Sequence, residues 1–169
     1  MASVNGITLK ALKTFKDHEG MEIAQGNLYI GRKKIGSWSQ DAWGGPDIIN
    51  LDPPYDERKL EQCFMDRGFE NLEMGLWRLL SLKQDEDLWK SSGSTRLFIA
   101  DDGYHQIWLD IDEPETTVDD VLRRGDVLRC IDQHFFKNGS YNFRIVDESS
   151  FDEGEPITLE EITTKRAYR

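Results

Sequence analysis

Carboxylates and tryptophans are the side chains whose grouping in this sequence could do chemistry. Residues 101–120 hold Asp101, Asp102, Asp110, Asp112, Glu113, Glu115, Asp119 and Asp120 without one Lys or Arg. Residues 147–161 hold Asp147, Glu148, Asp152, Glu153, Glu155, Glu160 and Glu161, again without a cation. Crowded carboxylates repel one another and cost stability, so a surface that tolerates them can be matched to a basic partner. Carboxylates set in a row can occupy a protein groove that otherwise holds nucleic-acid phosphates. The plainer reading is solubility and helix capping, which alone accounts for Asp119, Asp120, Glu160 and Glu161.

The second grouping is aromatic. Trp38 and Trp43 fall at the exit of a hairpin that runs into Gly44-Gly45-Pro46. A strand tryptophan such as Trp38 belongs in a core. Trp43, between Ala42 and two glycines, is the exposed candidate, and exposed tryptophans anchor binding surfaces. Separately, His18 and Glu19 adjoin a turn and Asp41 and Asp47 sit in the loop, an oxygen and imidazole set from which a metal-dependent nuclease or hydrolase could be built. Adjacent His18 and Glu19 on an extended segment would point opposite ways. No G-x-S-x-G and no Walker-type glycine loop occurs, so binding is expected rather than catalysis, with no cofactor and no metal. Gly31-Arg32-Lys33-Lys34 is a small cationic tip of the kind found on many exposed turns.

These residues need elements to place them. Val4 to Leu12 alternates as a half-buried strand, and Asp17-His18-Glu19-Gly20 signals a turn. Met21–Ala24, a bulge or interruption at Gln25-Gly26-Asn27, Leu28–Ile30 and Ile35–Gln40 complete an antiparallel meander, with residues 31–34 as its last turn. In that last strand Ile35 is expected to face away from Trp38. A loop follows from 41 to about 55. Asp56 should cap a helix to Arg67, and Asn71 a second to about Lys90; Leu72, Leu76, Leu79 and Leu80 form the apolar stripe of the latter. Ser94–Ala100 and Tyr104–Ile111 read as a hairpin. Thr117 opens a capping box, and 126–136 with 141–146 reads as a hairpin about Asn138-Gly139. Thr158 opens a last helix over 159–167, whose basic end Lys165, Arg166 and Arg169 suits the helix dipole. The class is α+β: antiparallel hairpins packed against two central helices, with a short C-terminal helix. One domain over 1–169 is expected, with 1–54 and 92–169 as lobes joined by helices at 55–91.

Charge and composition narrow the partner. The chain of 169 residues is 38% hydrophobic and 11% aromatic, with a net charge of −11. Residues 1–50 are close to neutral, with six Lys/Arg against five Asp/Glu; the remainder has fifteen against twenty-seven. Such a balance disfavours direct nucleic-acid binding and anionic membranes. Cys63 and Cys130, the two cysteines, lack the spacing of a zinc site or disulfide framework and are expected as reduced core residues. No signal-like apolar run and no 18-residue apolar segment occurs, so a cytoplasmic location is expected.

The stretch from Asn5 to Asp47, NGITLKALKTFKDHEGMEIAQGNLYIGRKKIGSWSQDAWGGPD, resembles the opening of small proteins of bacterial mobile elements. The likeness spans about a quarter of the chain and carries over no catalytic residue. It implies counter-defence or element maintenance, with anti-CRISPR proteins as the comparison. The expectation is an acidic interaction protein that binds and inhibits a basic nucleic-acid-handling protein, with Asp101, Asp102, Asp110, Asp112, Glu113, Glu115 and Trp43 at the contact. The alternatives are the nuclease or hydrolase, and a small-ligand or peptide-binding module on the Trp38–Trp43 loop.

Overall fold

The computed structural model describes residues 1–103, 105–125, 127–131, 139 and 141–165. It is an α+β fold with nine strands and four α-helices among those residues. Contacts gather into two units, Met1–Gln84 with the chain from Phe151 on, and Asp85–Ser150.

The first unit is built on a six-stranded sheet ordered β5-β4-β3-β2-β1-β9. The strands are β1 (Ser3–Val4), β2 (Ile7–Lys16), β3 (Glu22–Ile30), β4 (Lys33–Ser39), β5 (Ile48–Leu51) and β9 (Asp152–Glu153). Asn5 and Gly6, both at positive φ, make the first turn. All the pairings are antiparallel except β1 with β9. Of the bulge or interruption expected at 25–27, β3 shows no interruption, and the register shift of the β2–β3 pair falls opposite Gln25–Asn27, its extra residues on β2. Gly26 is there for space: a Cβ would sit 2.8 Å from Leu9 Cδ1. The turn after β3 is tighter than four residues, since Ile30 pairs with Lys33 and leaves Gly31-Arg32, with Gly31 at φ 58°. Glycine in the first central position suits a two-residue hairpin turn.

Two bulges reset the alternation. Between Lys10 and Lys13 the register of β2 shifts, with Ala11 at φ 53°. Beyond it residues 13–16 of β2 are exposed, while Ile23 and Ala24 on the paired stretch of β3 stay buried. Leu28 pairs with Gly36 and Tyr29 with Lys34, so Ile35 is the extra residue of β4. Ile35 and Trp38 are therefore both buried, where strict alternation would set them on opposite faces. Residues 48–51 are a strand rather than loop. Helix α1 (Glu57–Asp66) is capped by Asp56, and α2 (Leu72–Ser92) starts where the Asn71 side chain accepts the Met74 N–H. Phe64 of α1 packs on Gly75 of α2, where no Cβ would fit. Leu60, Phe64, Leu72, Leu76 and Leu79 are buried. Helix α4 (Leu159–Ile162) has its Thr158 capping box but ends early, because Thr163 turns extended and bridges Tyr55. Arg166 and Arg169 lie outside the described residues.

The second unit holds β6 (Leu97–Asp101) between β7 (Gln106–Asp110) and β8 (Asn142–Val146), all antiparallel. The expected hairpin of 126–136 with 141–146 is not what the described part shows. Val127–Arg129 is a 3-10 turn, and β8 pairs with β6. Residues 132–138, with Asn138 of the expected turn, lie outside the described residues, as does Tyr104. Helix α3 (Val118–Arg123) carries the Thr117–Asp120 capping box. Phe98, Ala100, Ile111, Val121, Val127 and Ile131 form the core. Asp85, almost fully buried, receives two bonds of 2.6 Å from Arg144, a bidentate pair. Cys63 is buried as expected, whereas Cys130 is exposed. No described helix is long and apolar enough to cross a membrane.

Candidate functional site

In the first unit, the β2–β3 turn, the β4–β5 loop and the start of α2 enclose a groove of about 720 Å³. The turn is formed by its own first residue: Asp17 accepts the Glu19 and Met21 N–H groups at 2.9 and 2.8 Å. The loop is built the same way. Asp41 accepts the Trp43 and Gly45 N–H groups at 3.1 and 3.0 Å. Gly45 has to lack a side chain, because a Cβ would run into that carboxylate. Gln40 ties the base of the loop to β3: its amide oxygen accepts the Ala24 N–H, and its own N–H donates to the Ala24 carbonyl. Such side-chain bonds to nearby N–H groups are how short Asp-led turns hold their shape.

Trp43 is 78% exposed, yet it is not loose. The His18 ring stacks on it at 4.2 Å between centroids with 29° between planes. Trp38, by contrast, is core at 2% exposure, and its indole N–H needs a partner. That partner is Asp47, whose Oδ2 accepts from Trp38 Nε1 at 2.8 Å and from Trp77 Nε1 at 2.6 Å. Glu73 lies against Asp47 and accepts its backbone N–H; burial, then the Asp47 charge, pushes the Glu73 carboxyl above its ordinary value. Two carboxyl groups held this close resist ionising together.

The sequence treated His18, Glu19, Asp41, Asp47 and Trp43 as parts of separate schemes; all five line this one groove. Their roles differ from a metal set. Glu19 stands 3.7 Å from His18 Nε2, Asp41 serves its loop, and Asp47 serves two indoles. Among the described residues no three His, Cys, Asp or Glu side chains are placed to hold one metal ion. Trp77 and Glu73 were missed. A signal for them exists: they stand four residues apart on one helix face, off the Leu72-Leu76-Leu79 stripe. A tryptophan outside the buried stripe of its helix is a candidate for contact.

The acidic tracts have a different geometry from a row of phosphates. Asp101 is 3.5 Å from Arg144, and Asp102 accepts the His105 N–H. Asp110 accepts the Ser94 hydroxyl, and Glu113 stands 3.3 Å from Arg124. Glu113 and Glu115 line a shallow hollow with Arg123 and Arg124. Asp112 lines another with Arg96. Thr117 holds the Asp120 carboxyl below its ordinary range through its N–H and hydroxyl, and Ser149 does so for Asp147. The later tract is divided: Asp147 and Glu148 belong to the second unit, while Asp152 onward belongs to the first. There Glu153 pairs with Arg78 and Glu161 with Arg67.

No family model, curated protein or solved structure matches this chain.

Proposed function

We propose that the chain is a non-enzymatic binding protein whose tryptophan- and carboxylate-lined groove takes a positively charged segment of a protein partner. The observation that carries this reading is the company Trp43 keeps. A tryptophan 78% exposed, stacked in place by His18, shares its groove with six carboxylates and no Lys or Arg. A flat aromatic face beside carboxylates attracts cations twice, through the ring quadrupole and through charge. Pre-stacking by His18 lowers the ordering cost of binding. The net charge of −11 extends the same preference to the whole molecule. Basic nucleic-acid-handling proteins are the partner class this charge fits best, and the mobile-element resemblance would make inhibition the purpose. The support is narrower than extended phosphate mimicry, since the tract carboxylates serve turns, caps and arginines.

The test is titration of the protein with Lys/Arg-rich peptides, followed by tryptophan emission across salt. Binding should weaken steadily from about 50 to 500 mM salt. Trp43→Ala should lower affinity about thirtyfold, as loss of a central aromatic anchor does, while melting within about 3 °C of the parent. A Trp43→Ala protein that binds as tightly as the parent removes the groove from consideration.

A further inference from the structure

We propose that the groove reads arginine rather than positive charge in general: a guanidinium of the partner lies on the Asp47–Glu73 carboxyl pair, against an indole face. This rests on the binding role proposed above and names the side chain that fills the site.

Asp47 is fixed before anything binds. Its Oδ2 is held by two indole N–H groups from different elements, Trp38 on β4 and Trp77 on α2. The carboxylate is therefore aimed before any ligand arrives, and its ordering cost is already met. Glu73 comes from the first turn of α2 and is held by the Asp47 N–H. Two carboxyl groups from two elements stand side by side, and the Asp47 charge raises the cost of charging Glu73. A cation placed on both removes that repulsion, and the shape of the cation decides how well.

A guanidinium is planar and presents its N–H groups in a fixed fork, which matches paired carboxylate oxygens and lies flat on an aromatic ring. An ammonium is compact and strongly hydrated. In a groove open to solvent it keeps more of its water and gains less from the indoles. Trp77 is 44% exposed with its N–H edge turned to Asp47, so a ligand on that carboxylate borders the ring. Trp43 offers the face opposite His18. Among the described residues no Lys or Arg lines the groove wall to compete as an internal cation.

The test uses the full chain and three peptides with one central Arg, Lys or citrulline in a Gly/Ser frame. Tryptophan emission and calorimetry report binding at pH 7.5. The Arg peptide should bind about tenfold tighter than the Lys peptide, and citrulline should lose at least that much again. Glu73→Gln should bring the Arg and Lys peptides to within about twofold of each other, since the fork then meets one carboxylate. Trp43→Ala should weaken the Arg peptide more than the Lys peptide, since the guanidinium gains more from the ring. Equal affinity for the Arg and Lys peptides in the parent protein overturns the arginine reading and leaves cation capture standing. Binding of neither peptide, or citrulline as tight as arginine, overturns both. A full arginine preference surviving in Glu73→Gln overturns the role given to the carboxyl pair.

Discussion

Asp47→Ala is the sharpest perturbation of the groove, because its cost can be worked out bond by bond. The parent carboxylate accepts from the buried Trp38 and the half-exposed Trp77. Alanine leaves the Trp38 N–H without an acceptor in a site 2% exposed, and an orphaned buried donor costs about 1–3 kcal/mol. The Trp77 N–H can reach water, so its loss is worth about 1 kcal/mol or less. Relief of the Asp47–Glu73 repulsion offsets a few tenths, since Glu73 is partly solvated. The expected net loss is about 2 kcal/mol. Asp47→Asn is the control. It removes the charge but keeps an amide oxygen facing both indoles, so it should cost less than about 1 kcal/mol. The assay is urea unfolding with Trp89 and Trp108 replaced by Phe, so that emission comes from Trp38, Trp43 and Trp77 of the first unit. With a slope of about 2 kcal/mol/M, the alanine midpoint should fall by about 1 M and the asparagine midpoint by under half that. Equal midpoints for the two variants would refute the claim that an acceptor, and not a charge, is what the tryptophans need at position 47.

Glu73→Gln should stabilise slightly at pH 7. The raised carboxyl of the folded state binds its proton more tightly than the unfolded chain does, so its ionisation costs folding energy as pH rises through its value. The advantage of the variant should therefore vanish below the ordinary value of 4.5, and an advantage unchanged at pH 3.5 argues against it. Asp147 and Asp120 have the opposite sign. Their lowered values give stability that is full above 3.8 and lost as pH falls through the folded-state values. Ser149→Ala should thus raise the pH midpoint of acid unfolding, and an unmoved midpoint counts against that bond. Asp85→Asn should cost the second unit about 3 kcal/mol, because it leaves Arg144 charged and mostly buried. The double variant Asp85→Leu/Arg144→Met should be milder, and a double variant worse than the single would contradict this. Gly36→Ala would set a Cβ on the Asn50 carbonyl and 2.7 Å from Leu51 Cα. It should cost about 2 kcal/mol or more and free the β5 amides to exchange; protected amides in Ile48–Leu51 would show that the pair adapts.

Local chemistry was legible in the sequence, and long-range pairing was not. Asp56, Asn71, Thr117 and Thr158 announce helix starts because each cap is a bond between neighbours within three residues. The turn at 17–20 was readable for the same reason. Strand β5 escaped because it is four residues between a glycine-proline loop and two prolines, and β4 alone makes it a strand. The bulges at Ile35 and Ala11 are invisible to a count of alternation, which assumes one residue faces one. Strand β8 looked like half of an Asn-Gly hairpin, yet its described partner is β6, some forty residues away. The groove is a product of such pairings. Its members were all conspicuous, but the sequence places His18, Trp43 and Trp77 far apart. The β2–β3 pairing and the β4–β5 loop bring His18 and Trp43 together, and the Trp77 bond to Asp47 sets α2 beside them.

The acidic character of the chain also changes meaning once partners are assigned. A carboxylate that caps a turn keeps its negative charge but spends its field on the N–H dipoles it accepts. Asp17 and Asp41 are of this kind, and so are Asp120, Asp147 and Glu161. Others face an arginine, as Glu153 faces Arg78 and Asp85 faces Arg144. Both groups attract an incoming cation less than a bare carboxylate does, so in the groove Asp17 and Asp41 contribute less than Asp47 and Glu73. The Asp47–Glu73 pair is different in kind. Two indole N–H groups and one backbone N–H orient it, no Lys or Arg lines the groove wall among the described residues, and burial with the Asp47 charge pushes the Glu73 carboxyl above its ordinary value. Charge that is oriented and still uncompensated is what a cationic ligand can gain from. Among the described acids, the two beside the exposed tryptophans meet that condition.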